Sequence, residues 1–342
     1  MKRIGGAILF LLLTFAIFGF LFFKAQAKWH TAEETEIPKG PHITVYTDLP
    51  QGTVSLLVPS FRADTGICVD VTEMTGAEMK ETLSAGKRAD VYLASQKVLM
   101  DLAETGAFAS YTYGTEAVPA DFKDEDGRWT GLFVNPVVFA VNRDFAEKNP
   151  NFIYSWNDVW QRKSVRIAML DFHATEFSSD SLMCLVEHYG TEEAYRLLAE
   201  ATSHVVQYGE YLSMPAQMAA MDKCDIGISG YHEARRLQAD NMPIRILYPE
   251  EGTWVFLYGA ALDAGAGNEA KAFFDWLFYK GASDKTLSEN GFLFIPANAE
   301  TWPADDVDGN FYVWDLKKKY TESGKAELLE KWVRDVRFAD NS

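Results

Sequence analysis

At 342 residues the chain is long enough for one large or two ordinary domains, and 48% hydrophobic against 24% charged residues is a balance that can build real cores. A formal net charge of −17 excludes a binder of nucleic-acid backbone, whose affinity rests on clustered Lys and Arg. It leaves a small-molecule site open, because a buried pocket is set by local donors rather than by net charge.

The N-terminus comes first. Lys2 and Arg3 precede an uncharged run over residues 4–23, followed by Lys24 and Ala25-Gln26-Ala27. A basic start, an apolar run and an A-x-A site describe a secretory signal peptide cleaved after Ala27. The run is also long enough to span a bilayer as an N-terminal membrane anchor. Both readings of residues 1–27 put the body outside the cytoplasm, in the periplasm or on the outer face of the membrane. No cysteine lies near the run, which excludes a lipid-modified anchor. Residues 28–40 are polar and read as a linker. Cys68, Cys184 and Cys224 have no metal-ligand spacing; Cys184 and Cys224 could pair, but small buried residues are the simpler reading.

From residue 43 strands and helices alternate. Ile43 to Thr47 predicts a strand. Val54, Leu57, Val58 and Phe61 recur at helical spacing, with Pro59 expected to kink or shorten that helix. Ile67 to Val71 predicts a strand, 76–86 a helix, Ala89 to Ala94 a strand, and 97–106 a helix that Gly106 ends. This is the β-α-β alternation of a parallel sheet wrapped by helices, which binds ligands beyond the carboxyl ends of its strands. Trp129 to Asn142 is apolar nearly throughout, with Asn135-Pro136 in its middle. The alternation then restarts. Strands are predicted at 165–170, 205–208, 225–229, 244–248 and 254–262. Helices are predicted at 181–189, 192–201, 214–221, 232–239 and 268–281, and the tail from 314 to 336 reads as helical.

Two α/β units therefore follow one another. The apolar strand at 129–142 crosses between them and the one at 254–262 returns. Lobe 1 is expected at 41–134 plus 254–342 and lobe 2 at 135–253, with hinges near 134–137 and 249–254.

Read in order, ITVYTDLPQGTVSLLVPSFRADTGICVDV, ADVYLAS, DGRWTGLFVNPVVFAVNRD, VRIAMLD, SMPAQMAAMDKCDIGISGYHEARRL and IRILYPEEGTW resemble the periplasmic-type solute-binding proteins of ABC importers. The group in question includes ferric-iron, phosphonate and sugar-phosphate binders. The resemblance implies a two-lobed, type II Venus-flytrap fold, expected as a monomer. Such a protein captures one small solute between its lobes and hands it to a membrane permease. It implies no cofactor, no nucleic-acid partner and no catalysis.

Candidate ligand residues lie where strands end at the expected cleft: Thr47, Asp48 and Ser95 in the first lobe, Asn135 at the crossing, and Thr175, Glu176, Ser213, Tyr231 and His232 in the second, with Trp254 on the return. Their loops lead into helix N-termini, which favour anions; a hydroxyl such as that of Ser213 serves equally as a helix cap. Relatives often carry Ser-Ser where this chain has Thr47-Asp48, and Ser-Gly-Thr where it has Thr175-Glu176-Phe177. Both departures bring a carboxylate to the cleft. That disfavours a plain inorganic oxyanion and favours a phosphonate or phosphate ester with a cationic group as well, which Tyr231 and Trp254 could also face. The alternatives are a ferric-iron binder, with Tyr231 and His232 as metal ligands, and a membrane-tethered ligand sensor. No metal site is expected otherwise. The enzyme motifs fail: His232-Glu233 starts no H-E-x-x-H, GISG lacks the G-x-S-x-G spacing, and GAGNEA reads as a turn capped by Asn268.

Overall fold

The computed structural model describes residues 40–298, 312–314 and 320–339. The predicted signal or anchor and nearly all of the linker lie outside the described residues, as do parts of the tail. Everything below concerns the compact unit that begins at His42.

Strand β1 (His42–Thr47) buries alternate side chains, Ile43, Val45 and Thr47, as a strand on a helix layer should. It runs parallel between β2 (Cys68–Glu73) and β3 (Val91–Ser95). Helices α1 (Thr53–Thr65), α2 (Gly76–Ser84) and α3 (Gln96–Ala103) connect and extend this layer. Helix α1 continues through Pro59 for its full 13 residues. Pro59 and Ser55, four residues before it, are both exposed, so the carbonyl that loses its donor faces water and the helix need not stop there.

Strand β4 (Thr130–Asn142) is buried at all 13 positions. Its first part, to Pro136, pairs antiparallel with β9 (Val255–Leu262) and β10 (Ile295–Pro296). From Val137 onward it pairs antiparallel with β7 (Ile226–Gly230) and β8 (Ile244–Leu247). The change of partners falls at Pro136, where the missing N–H costs the ladder nothing extra, and the Val137 N–H picks up the Trp254 carbonyl at 3.0 Å. One strand thus serves two halves, which is why it has no polar face. Beyond β7 lie β5 (Ile167–Leu170) and the edge strand β6 (Val205–Gly209), both in parallel register. Helices α4 (Arg143–Lys148), α5 (Trp156–Gln161), α6 (Glu176–Tyr189), α7 (Thr191–Thr202), α8 (Met214–Ala220) and α9 (Tyr231–Ala239) cover the second half. Helix α8 lies so close to β7 that a Cβ on Gly227 would stand 2.2 Å from the Pro215 carbonyl oxygen.

After β9, α10 (Asn268–Tyr279) returns to the first half and buries Phe273 against Phe61, and the short α11 (Lys285–Glu289) follows it. The described C-terminal residues do otherwise. The sequence division places them with lobe 1, yet Trp314 and Trp332 belong to the hydrophobic cluster of the second half. Trp314 donates its main-chain N–H to the Thr253 carbonyl (2.9 Å) and stacks on His188 with ring centroids 3.7 Å apart. Helix α12 (Glu322–Trp332) packs against α6 and α7, where the Tyr195 hydroxyl bonds the Leu328 carbonyl, and one π-helical turn (Val333–Arg337) ends it. Burial of two indoles outweighs chain proximity to the first half. No helix among the described residues is long and apolar enough to cross a membrane. Cys68, Cys184 and Cys224 are free thiols, so the alternative pairing of Cys184 with Cys224 is not formed.

Candidate functional site

A cleft of about 730 Å³ opens between the end of β3, the start of α6, the strand β9 and the start of α12. On the first-half wall Asp48 follows β1 and Ser95 ends β3. The Ser95 N–H donates to Asp48 Oδ1 at 2.8 Å and its hydroxyl to Oδ2 at 3.1 Å. Burial pushes the Asp48 carboxyl up to about 6; the two Ser95 bonds oppose this and Glu176 adds to it. Lys97, in the first turn of α3, reaches across the cleft. Its ammonium lies 2.7 Å from Glu176 Oε1 and 3.2 Å from Glu322 Oε1. Burial works against that charge, but the two carboxylates outweigh it and hold Lys97 above the usual lysine range.

On the opposite wall Thr175 caps α6 in a reciprocal box with Ser178, which fixes where Glu176 and Phe177 emerge. Phe177 stacks on Phe256 with centroids 3.7 Å apart. Tyr258 of β9 lines the floor; burial, then Asp48, Glu233 and Glu176, push its phenol upward. Asp180 pairs with Lys325 of α12. Seven carboxylates line the cleft against two lysines, Lys97 and Lys325, and both lysines are already paired.

Asp48, Ser95 and Glu176 are thus brought together. The other sequence candidates lie outside the cleft lining. The Thr47 hydroxyl is buried and accepts the Leu49 N–H at 3.1 Å. Thr175 is occupied by its cap, and Ser213 stands before α8 without a side-chain capping bond. Asn135 is buried at the crossing, where its Oδ1 accepts the His232 N–H at 2.9 Å and its side chain also bonds Glu233. Tyr231 is buried in the core. His232 accepts the Leu293 N–H on Nδ1 at 3.1 Å and stacks on Phe294, and its burial, with Arg236 adding, lowers it to about 4. Trp254 stacks on Trp156 and donates its indole N–H to Ser181 at 3.2 Å. It borders a separate 20 Å³ void inside the second half, with room for about one water molecule.

Lys97, Tyr258, Tyr320, Glu322 and Lys325 line the cleft without having been singled out by sequence, whereas Phe177 stands in the Thr175-Glu176-Phe177 stretch that was. Lys97 stands two residues after Ser95 in a helix start and could have been found that way. Tyr320, Glu322 and Lys325 gave no signal, because long-range packing alone brings them there. Among the described residues no group of three His, Cys, Asp or Glu side chains stands ready to hold a metal ion.

Comparison with known proteins agrees with this architecture. AfuA from Actinobacillus pleuropneumoniae, a periplasmic binding protein solved with fructose-6-phosphate, is 18% identical and superposes with a TM-score of 0.61 over 87% of this chain and 99% of that one. Ferric iron-binding protein A from Mannheimia haemolytica, in an open conformation, gives 17% identity and a TM-score of 0.68 over 86% of this chain and 98% of that one. An uncharacterized protein of Haemophilus influenzae is 27% identical over 191 residues, 54% of this chain and about half (55%) of that relative. The solved structures share the two-lobed fold. The family model for bacterial extracellular solute-binding proteins matches residues 87–315, from the first-half wall of the cleft to the returning C-terminal segment, and the chain belongs to that family.

Proposed function

We propose that the chain captures a small solute bearing both a cationic and an anionic group, an aminophosphonate or an amine-bearing phosphate ester, and hands it to an ABC-transporter permease outside the cytoplasm. One observation carries this reading: the seven-to-two excess of carboxylates over lysines in the cleft, with both lysines already paired. A purely anionic solute meets no free ammonium among the described lining residues. An ammonium group meets Asp48, whose partners are the Ser95 N–H and hydroxyl, beside carboxylates that Lys80, Lys97 and Lys325 already hold (Asp101, Glu176, Glu322 and Asp180), and each charge-assisted bond contributes about 1.5–3 kcal/mol. The starts of α3 and α6 both border the cleft, and their dipoles favour the anionic end. Closure would turn on residues 134–137 and 249–254.

A ferric complex is the second reading, because Tyr258 on the floor and Asp48 on the first-half wall offer hard oxygen donors to the same cleft. Against it, burial disfavours the Tyr258 phenolate, and Tyr231 and His232 are committed to internal packing.

A thermal-shift screen of the purified chain tests both. 2-Aminoethylphosphonate and phosphoethanolamine should raise the melting temperature, by the equivalent of about 2.7 kcal/mol at a hundred times the dissociation constant. Amine-free ethylphosphonate should shift it far less. A coloured complex with ferric citrate, without a phosphonate shift, would replace the first reading with the second.

A further inference from the structure

The C-terminal segment touches three places at once. Residues 312–314 lie along the return crossing, where the Thr253 N–H donates to the Tyr312 carbonyl at 2.9 Å and a Cβ on Gly252 would meet that carbonyl at 2.8 Å. Helix α12 is anchored to the second half by Trp332, which sits edge-on to Phe172 and Tyr208, and by Arg337, 3.2 Å from Asp171. The first turn of α12 then leaves that anchor and reaches the first half, where Glu322 shares the Lys97 ammonium with Glu176. Tyr320, Glu322 and Lys325 all line the cleft, as does Cys184, whose thiol is pushed up by burial and then by Asp180 and Glu187, with Lys325 opposing.

We propose that the start of the C-terminal helix is a third wall of the solute cleft, and that Glu322, acting through Lys97, is the positioning residue that holds this wall against the first half. The inference rests on the cleft being the solute site. Its strength suits the task. Lys97 keeps 30% of its side-chain exposure and Glu322 81%, so the pair is a weak, solvent-screened one. Pairs of that kind shift an equilibrium by about two- to fivefold, enough to bias the wall toward closure without locking it. The wall tilts with the second half, since its anchors are there, and parts from the first half only when Lys97 lets go.

Cys184 is a built-in reporter, because it is the one of the three thiols that is not fully buried. The rate of its alkylation by N-ethylmaleimide in the full chain is to be followed by mass spectrometry, with Cys224 as the gauge of global opening. Glu322→Gln and Lys97→Met should each speed labelling of Cys184 about two- to fivefold and leave Cys224 slow. Raising NaCl from about 0.05 M to about 0.5 M should speed Cys184 in the unsubstituted chain and have little further effect in the variants. If both variants label at the unsubstituted rate, the wall is not held by this pair and the proposal fails. If a substitution loosens the whole fold, Cys224 reveals it and the salt series decides alone: no salt effect on Cys184 overturns the proposal. No solute is needed, so a failed solute screen and a failed wall are separate results.

Discussion

Asp48 and His232 titrate in opposite senses over the same pH range. The Asp48 carboxyl is raised to about 6 from an ordinary 3.8, chiefly by burial, so the folded chain holds this proton more tightly than the unfolded one. The resulting stabilisation is full below about 3.8 and is lost as pH rises through about 6. His232 is lowered to about 4 from 6.5, again chiefly by burial. Its contribution is full above about 6.5 and is lost as pH falls through about 4. Asp48→Asn keeps an acceptor for the Ser95 N–H and removes the buried charge. It should therefore stabilise the chain by about 1 kcal/mol at pH 7, a few degrees in Tm, and by nothing near pH 4. His232→Gln keeps an acceptor for the Leu293 N–H and should flatten the acid limb of the stability curve. Melting curves of the three proteins across that range check both signs. At this scale the sequence was partly legible. Asp48, Ser95 and Glu176 stand at strand ends and a helix start, where a ligand is expected. Trp254 and His232 occupy equally suggestive places, yet their polar atoms are used by Ser181 and Leu293, and only the packed structure shows it.

Among the elements, α8 lies close against the main chain of β7. A methyl group on Gly227 has nowhere to go, because the obstruction is main chain rather than the tip of a side chain. Gly227→Ala should cost about 1–3 kcal/mol, read as a lower urea midpoint at unchanged slope. Gly265→Ala, where the added carbon would stand 3.4 Å from the Asp263 carboxylate and φ is not positive, should change stability by under about 0.5 kcal/mol. Periodicity placed most strands and helices within a few residues, because each has a buried face and β3, β4, β5 and β7 have two; it gave no sign of the two-residue β10 or the short helices α4, α5 and α11, and the tail expected as helical from 314 is helical only from Glu322. It missed the first turn and more of α6, over 176–180, whose start is set by the Thr175 cap rather than by apolar spacing. It also expected Pro59 to interrupt α1, and solvent access to the freed carbonyl explains why it does not.

The two-unit organisation of the whole molecule was legible in β4, since a strand apolar on both faces needs covering on both. The destination of the tail was not. Its charged outer face and helical spacing fit either half, and only Trp314 and Trp332 decide between them, through partners far away in sequence. Those partners have an optical consequence. Trp156 lies nearly parallel to Trp160 and to Trp254, at centroid distances of 5.3 and 4.9 Å, and Trp314 stands 5.3 Å from Trp254. Indoles so close share their excited states, the two near-parallel pairs of Trp156 above all, and Trp254 adjoins β9 at the return crossing. If the proposed closure turns that crossing, the circular dichroism of the tryptophan bands should change when solute binds, and Trp254→Phe should reduce the change. Such a change would let polarised light read the closure, with no label on either half.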